Sequence, residues 1–541
     1  MNEIDIPLEA LAAMAALEGH PLAQDASIDA LTGDIRSRFE SLPQPPSVRL
    51  ENGLIHLQFA DPPEEDKAQA ARLLERARRR ASEREYGRVV ALCQQALRLQ
   101  PLLQAARREL ARAYVETGDA RKAEATLWQA LRLDPRDAWS LVTLGRLLLR
   151  DAGRGVAAGA ARMALEIEPA NPEALDLLGQ TLLRAGRHAE ALGVFDRAVL
   201  LSPHLLGPRL GAARALLQQG RAQESQSQLQ ELFRQAAHAG NPAVDLAPAR
   251  EFFAELQEHL AQRDLQPMRH ALEDLRRRLE EQCGVPIRLT DVEPRETGLV
   301  ELAWTEGRDH HLIGTPTSLP EPVRLQFLAQ ALLRVQVEVD AYRAGRLRTF
   351  SASTPNEPRW RGLLSDAAYG LRRQGVAPAV IDPMIECALA YVRQTLCHMP
   401  IEMLLERRLR AELPIVAPAQ FVSIRRFMAT PGIEDMAELR RVLPRPLWRA
   451  ALAMDTAHRI FFDELLGGAT DFAARCRTQP TYDLSLKLLR QWEASSAELR
   501  PGDHYGLVDG FAALLGLEGL YEVRECMPPS RQGPGEQAFP T

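Results

Sequence analysis

ALRLQPLLQAARRELARAYVETGDARKAEATLWQALRLDP, residues 96–135, carries an alanine five residues before a proline at both of its ends. Pro101 and Pro135 belong to a set of four, with Pro169 and Pro203, spaced by 34 residues each time. The alanines keep step at Ala96, Ala130, Ala164 and Ala198, and further small residues recur at Ala77, Ala111, Gly145, Gly179 and Ala213. Gly118, Gly186 and Gly220 fall between the apolar runs, where one helix must stop at a positive φ before the next begins. A fixed period of this length signals stacked helix pairs, each unable to bury its apolar face alone.

Small residues at repeat positions 8 and 27 and proline at position 32 resemble the tetratricopeptide (TPR) pattern. The resemblance covers residues 66–235, as four repeats and a degenerate fifth in which Leu232 stands where the alanine should be. It implies an α-solenoid that binds a protein or peptide in its concave groove. In that register position 9 faces the groove and is Arg78, Arg112, Arg146, Gln180 and Arg214, with Arg108 and Arg150 able to widen the basic strip. A ladder of guanidinium groups suits bidentate capture of carboxylates or phosphates, so an acidic ligand is expected. Position 5 is Leu74, Arg108, Val142, Asp176 and Leu210, which departs from the lysine-and-asparagine clamp of chaperone-binding TPR domains.

Composition excludes other classes. The 541 residues are 46% hydrophobic and 26% charged with a net charge of −6, too little imbalance for an obligate nucleic-acid partner. Only Lys67, Lys122 and Lys487 among the 66 cations are lysine, which reads as GC-rich, bacterial codon usage. The acidic start lacks the basic n-region of a secretory signal, and no apolar run reaches the roughly 18 to 20 residues of a membrane helix. A cytoplasmic location follows, with six scattered cysteines as reduced thiols.

Outside the repeats the chain divides further. Residues 1–65 hold short helices at 7–19 and 27–40 and a hairpin about Asn52-Gly53, which needs a partner because two strands alone are marginal. Residues 250–527 read as an α-rich α+β domain. A helix at 265–282 and three short strands, at 285–289, 298–304 and 310–313, lead to a helix at 323–346. Helices follow at 359–373, 377–397, 400–411, 418–428, 434–441, 445–466 and 482–498, and residues 528–541 form a polar tail expected to be disordered. The fold class is therefore mainly α: a TPR solenoid followed by an α-rich domain with a few strands.

Short strands leading into Leu325–Arg334, with Glu338, Asp340 and Arg343 beyond and the run Met399–Glu406 later, resemble a TPR-linked zincin metallopeptidase-like family over residues 265–465. Such a family carries HExxH on that helix, two histidines on one face and a glutamate that activates the metal-bound water. On this alignment the three positions become Gln330, Ala331 and Arg334. Arginine has no lone pair for zinc, so the resemblance implies a pseudopeptidase with no metal or other cofactor.

The remaining candidates have plainer readings. His310 and His311 point to opposite faces of a strand. Asp503-His504-Tyr505 reads as a capped turn, and Cys387 and Cys397 as unrelated thiols. Glu402 and Glu406, among Arg407, Arg408 and Arg410, read as a solvated, ion-paired helix face. No GxxxxGK[ST], GxGxxG or GxSxG occurs. The expected function is an interaction adaptor that takes a protein or acidic peptide, with self-association possible and neither nucleic acid nor membrane as partner. The alternative is a diverged hydrolase with its active site in 250–470.

Overall fold

The computed structural model describes residues 2–22, 27–37, 46–150, 154–239, 245–292, 299–351 and 358–526. The tail at 528–541 lies outside the described residues. The chain is mainly helical and divides into two compact units, Met1–Leu232 and Phe233–Thr541.

The first unit opens with β1 (Asn2–Pro7), α1 (Leu8–Leu17), α2 (Ile28–Ser37), β2 (Ser47–Glu51) and β3 (Leu54–Phe59). Five helix pairs follow: α3 (Glu64–Ser82) and α4 (Tyr86–Leu99), α5 (Gln104–Glu116) and α6 (Ala120–Leu133), α7 (Ala138–Arg150) and α8 (Arg154–Ile167), α9 (Pro172–Arg184) and α10 (His188–Leu201), α11 (Leu206–Gln218) and α12 (Ala222–Ala239). Gly118, Gly186 and Gly220 each adopt φ of +76° to +77° between the members of a pair.

The glycines at position 8, and Gly211 two positions earlier than Ala213 in the fifth repeat, are small for a steric reason. A Cβ on Gly145 would lie 2.4 Å from Leu177 Cδ2. One on Gly179 would lie 2.5 Å from the Phe195 ring, and one on Gly211 would lie 2.3 Å from the same ring. Phe195, fully buried on α10, is thus lodged between α9 and α11.

The hairpin finds its third strand in β1, which pairs antiparallel with β3 to give the order β1-β3-β2. Residues 2–7 alternate acidic-out and isoleucine-in, so Ile4 and Ile6 face inward while Glu3 and Asp5 are exposed. The helix expected from residue 7 begins at Leu8 and ends at Leu17. Ile6, Leu11, Met14, Ile55 and Leu57 share one core with Leu127 and Leu131 of α6 and Ala160 and Ala164 of α8. The N-terminal segment is therefore fastened to the second helices of two successive repeats.

The second unit contains α13 (Ala247–Arg263), α14 (Leu265–Cys283), β4 (Ile287–Val292), β5 (Leu299–Glu301), α15 (Ala303–Glu306), β6 (His311–Pro316), α16 (Glu321–Arg343) and β7 (Arg348–Ser351). It continues through α17 (Pro358–Arg373), α18 (Pro378–Glu412), α19 (Ala417–Met428), α20 (Ala437–Val442), α21 (Arg445–Leu465), α22 (Tyr482–Ser496), α23 (Tyr505–Leu515) and β8 (Glu522–Glu525). In one small sheet β6 lies parallel to β4 and antiparallel to β5, and β7 pairs with β8. The run 298–304 is part strand and part helix, because α15 begins at Ala303.

Expected helices at 377–397 and 400–411 are one continuous helix of 35 residues. A proline inside a helix removes one backbone hydrogen bond and crowds the preceding turn. Pro400 is nonetheless buried within α18, and its carbonyl oxygen accepts a hydrogen bond from Trp492 Nε1 at 2.8 Å. Packing against α16, α17, α19, α21 and α23 along the length of α18 holds the helix together across the break. Among the described residues no helix is long and apolar enough to cross a membrane.

Candidate functional site

Two regions concentrate polar side chains, one in each unit. In the first, position 9 of one repeat meets positions 2 and 5 of the next. Arg146 on α7 approaches Glu173 at 3.2 Å and Asp176 at 3.6 Å, both on α9. Consecutive first helices therefore form one wall. On the same wall Arg108 Nε lies 2.7 Å from Asp137 Oδ2, and the Arg112 guanidinium sits 6.0 Å from the centroid of the Trp139 ring.

Arg112 also lies 3.6 Å from Glu109, and Arg78 is 2.6 Å from Glu75 one turn earlier on its own helix. Arg214 is exposed on α11, and the Arg150 side chain lies outside the described residues. The strip is thus a series of arginine–carboxylate contacts, not a row of bare guanidinium groups. Asp137 is buried and bound tightly, since it also accepts from the Ser140 backbone N–H at 3.2 Å and hydroxyl at 2.7 Å. Burial holds the Asp176 carboxyl above the usual carboxylate range, with Arg146 pulling the other way. The pairs of Arg78 with Glu75 and Arg146 with Glu173 are open to water, where an ion pair contributes about 0.2–1 kcal/mol and can exchange partners, and the Arg112 guanidinium is itself exposed although Glu109 is largely covered.

In the second unit α16 carries Gln326, Gln330, Arg334 and Glu338, and α18 carries Gln394, His398, Glu402 and Glu406. Four-residue steps place each set along one face of its helix. They line two adjoining cavities of about 450 and 470 Å³ that share Arg334, Gln394 and His398. Glu338 belongs to the first; Gln330, Ala331, Glu402, Glu406 and His458 of α21 belong to the second.

The deep end of this arrangement is closely bonded. Gln326 Nε2 donates to Glu406 Oε1 at 2.8 Å, and Gln420 Nε2 donates to Glu406 Oε2 at 2.6 Å. The Ser423 hydroxyl donates to Gln326 Oε1 at 2.8 Å, and Gln330 hydrogen-bonds Glu402. At the other end the Tyr505 hydroxyl donates to Glu338, whose carboxylate is 3.8 Å from His504 Nε2.

Burial pushes the Glu402 carboxyl up to about 7 and that of Glu406 up to about 8, against the amide donors that favour ionisation. It pushes the His458 imidazole down to about 3. His398 is open to the cavity, yet the protein around it and the nearby Arg334 cation take it down to about 4. Near neutral pH both imidazoles are uncharged, and Arg334 is the permanent cation common to both cavities.

Gln330, Ala331 and Arg334 thus come together on one cavity wall. They do not make a zinc site. Ala331 offers no donor atom and Arg334 no lone pair, so Gln330, His398 and Glu402 would have to supply three ligands without the usual histidine pair. Glu402 and Glu406 correct the expectation of a solvated face: Glu406 is 3% exposed and both face the cavity. The neighbouring arginines point elsewhere. Arg408 pairs with Glu412 at 2.6 Å, while Arg407 donates to the Ser496 carbonyl and stacks 4.6 Å from the Trp492 ring centre.

The other candidates separate. His311 is buried and accepts from the Ala303 N–H at 3.1 Å, whereas His310 meets Asp309 at 2.6 Å. Asp503 caps its turn by accepting from the Arg500 N–H at 3.0 Å, but His504 and Tyr505 reach the cavity through Glu338. Cys387 is exposed and Cys397 buried. A small exposed cluster of Glu3, Asp5 and His56, invisible without β1, brings His56 Nδ1 within 2.7 Å of Asp5.

Residues 80–145 match the family model for the tetratricopeptide repeat, and residues 156–232 match the model described as anaphase-promoting complex, cyclosome, subunit 3. The chain thus carries tetratricopeptide repeats. No curated protein matches. Among solved structures it is similar to MamA, at 15% identity over 33% of this chain and 98% of that one, with a TM-score of 0.28. It is also similar to YrrB, described as a TPR protein with an unusual peptide-binding site, at 22% identity over 31% and 88% of the two chains and a TM-score of 0.27. TTC0263, a TPR protein of Thermus thermophilus, is 21% identical over 35% and 98%, with a TM-score of 0.30.

Proposed function

We propose that this chain is a bacterial, cytoplasmic interaction adaptor whose repeats, over residues 66–235, bind an acidic protein segment along the wall formed by their first helices. The observation that carries this reading is the exchangeable pairing of Arg78, Arg112 and Arg146. A carboxylate on an extended ligand can replace Glu75 or Glu173 as partner at little cost, because those pairs are solvated, and can join Arg112, whose contact with Glu109 is loose at 3.6 Å. Trp139 beneath Arg112 adds an apolar surface for the ligand backbone. Arg214 extends the strip to the last repeat, and Arg108 with Asp137 acts as its fixed scaffold.

Residues 250–527 serve, in this proposal, as a metal-free pseudopeptidase-like domain, because at the positions that the sequence resemblance aligns with a zinc-binding motif Ala331 and Arg334 cannot ligate zinc. Fluorescence anisotropy of a labelled peptide rich in glutamate and aspartate tests the groove. Replacing Arg112 and Arg146 with alanine is expected to weaken binding about tenfold and flatten its salt dependence. Equal affinity for a lysine-rich peptide, or no change in the double variant, would overturn it.

A diverged hydrolase in 250–470 is the second reading, favoured by the cavity carboxyl of Glu402, whose pKa near 7 would suit a general acid or base. Stoichiometric zinc in purified protein would speak for that reading and against the metal-free one.

A further inference from the structure

We infer that the paired cavities, both lined by α16 and α18 and the second also by α19 and α21, form a binding site for a small organic oxyanion, a carboxylate or phosphate that also bears hydroxyl or ammonium groups, with Arg334 as its anchor. The inference is independent of the groove in the repeats. It begins with an imbalance. Among the described residues Arg334 makes no hydrogen bond and has no carboxylate within 4.0 Å, although it is half-buried and lines both cavities. The other arginines of the first cavity are paired: Arg348 has Glu525 and Arg393 has Glu386, each at 3.4 Å. Glu402 is near enough for the Arg334 cation to favour its ionised form, yet not in contact with it. A half-buried guanidinium with no hydrogen-bond partner is costly, and a bidentate oxyanion is the group whose geometry matches it.

The surroundings describe the rest of the ligand. Glu406 is saturated by Gln326 and Gln420 and serves to fix the deep wall. Glu402 is held by Gln330 alone among the amides and faces the cavity, so it can accept from a hydroxyl or ammonium group. His458 Nε2 is buried without a hydrogen-bond partner on the opposite wall. Gln394 and His398 stand at the junction of the two cavities. Phe327, Ile401, Leu405, Ile424, Phe427 and Phe462 supply the apolar remainder. Volumes of about 450 and 470 Å³ fall in the range of small-molecule sites, which combine apolar lining with a few convergent polar groups.

Calorimetric titration of the full chain with glycerol 3-phosphate, glycerate and glycerol separates the possibilities. These probes share their hydroxyl groups and differ in the anion. The expected result is saturable binding of one of the two anions with a Kd at or below about 1 mM, a weakening of at least about tenfold in Arg334→Gln, and no binding of glycerol. Binding of the phosphate alone or the carboxylate alone identifies the anion class. Absence of binding by both anions, equal binding of glycerol, or unchanged affinity in Arg334→Gln overturns the inference. Should that variant misfold, phenylglyoxal modification of Arg334 in the wild-type chain, mapped by mass spectrometry, replaces it. The bound anion must slow modification of Arg334 while leaving the exposed Arg214 unprotected, and equal rates with and without it are again a refutation.

Discussion

Replacing Gly179 with alanine sets two effects against each other. Glycine inside a helix costs about 1 kcal/mol relative to alanine, so the substitution should stabilise α9 if nothing stands in the way. Here the new Cβ would lie 2.5–2.7 Å from three ring carbons of Phe195. The ring cannot swing clear, because Gly211 of α11 touches it from the far side, where a Cβ would be 2.3 Å away. Overpacking a closed core costs about 1–3 kcal/mol, so the net change is a loss on the order of 1 kcal/mol. Gly193 supplies the control: it is an exposed position on α10 with nothing within 4 Å of its missing Cβ, and Gly193→Ala should stabilise by about 0.5–1 kcal/mol. Urea unfolding followed by circular dichroism reads both. Adding Phe195→Leu to Gly179→Ala should recover part of the loss, a coupling of about 1 kcal/mol in a double-mutant cycle. A Gly179→Ala variant as stable as Gly193→Ala would refute the reasoning.

Three further outcomes follow from other contacts. Asp137→Ala removes both the partner of Arg108 and the side-chain acceptor at the start of α7, and should cost about 1–2 kcal/mol in urea unfolding, whereas Arg78→Ala should change stability by less than about 0.5 kcal/mol. Because the Glu402 carboxyl is raised, the unfolded chain loses that proton first as pH rises, and stability falls between about pH 4.5 and pH 7. Glu402→Gln should remove a drop on the order of 1–3 kcal/mol from that window, and superimposable stability profiles of variant and wild type would contradict it. Trp492→Phe deletes the donor to the Pro400 carbonyl and should cost about 1–2 kcal/mol, read as an earlier loss of near-ultraviolet circular dichroism.

The solenoid was legible because its signal is redundant: the same residue types return at the same phase, and every return repeats the same packing problem. Gly145 and Gly179 were marked by phase before the reason, Leu177 and Phe195, came into view. Strand β1 was harder. Its alternation of Glu3 and Asp5 with Ile4 and Ile6 is visible in hindsight, but its partner β3 lies some fifty residues away and no local rule links them. Pro400 misled for a related reason, since the groups that pack around α18 and bond its Pro400 carbonyl belong to distant helices.

At the candidate sites, the register placed Arg112 and Arg146 on one wall but could not supply Glu173 and Asp176 of α9, the carboxylates that meet Arg146 from the next repeat. The cavity was only half legible. Four-residue spacing of Gln326, Gln330, Arg334 and Glu338 was present on α16, and so was that of Gln394, His398, Glu402 and Glu406 on α18. That the two stripes face one another depends on how the helices pack, and the arginines beside Glu406 suggested water where there is core.

The N-terminal sheet and α1 bear on how the repeats come apart. In a linear array each unit touches only its neighbours, and melting can begin at either end or at the weakest junction. A segment that shares its core with α6 and α8 at once crosses a junction the solenoid would otherwise hold alone. Gly159 on α8, where a Cβ would collide with Leu17, shows how closely the strap is drawn. The shared core makes the second and third repeats a block expected to open together. The first repeat, α3–α4, contributes no residue to that core and is the unit expected to open separately.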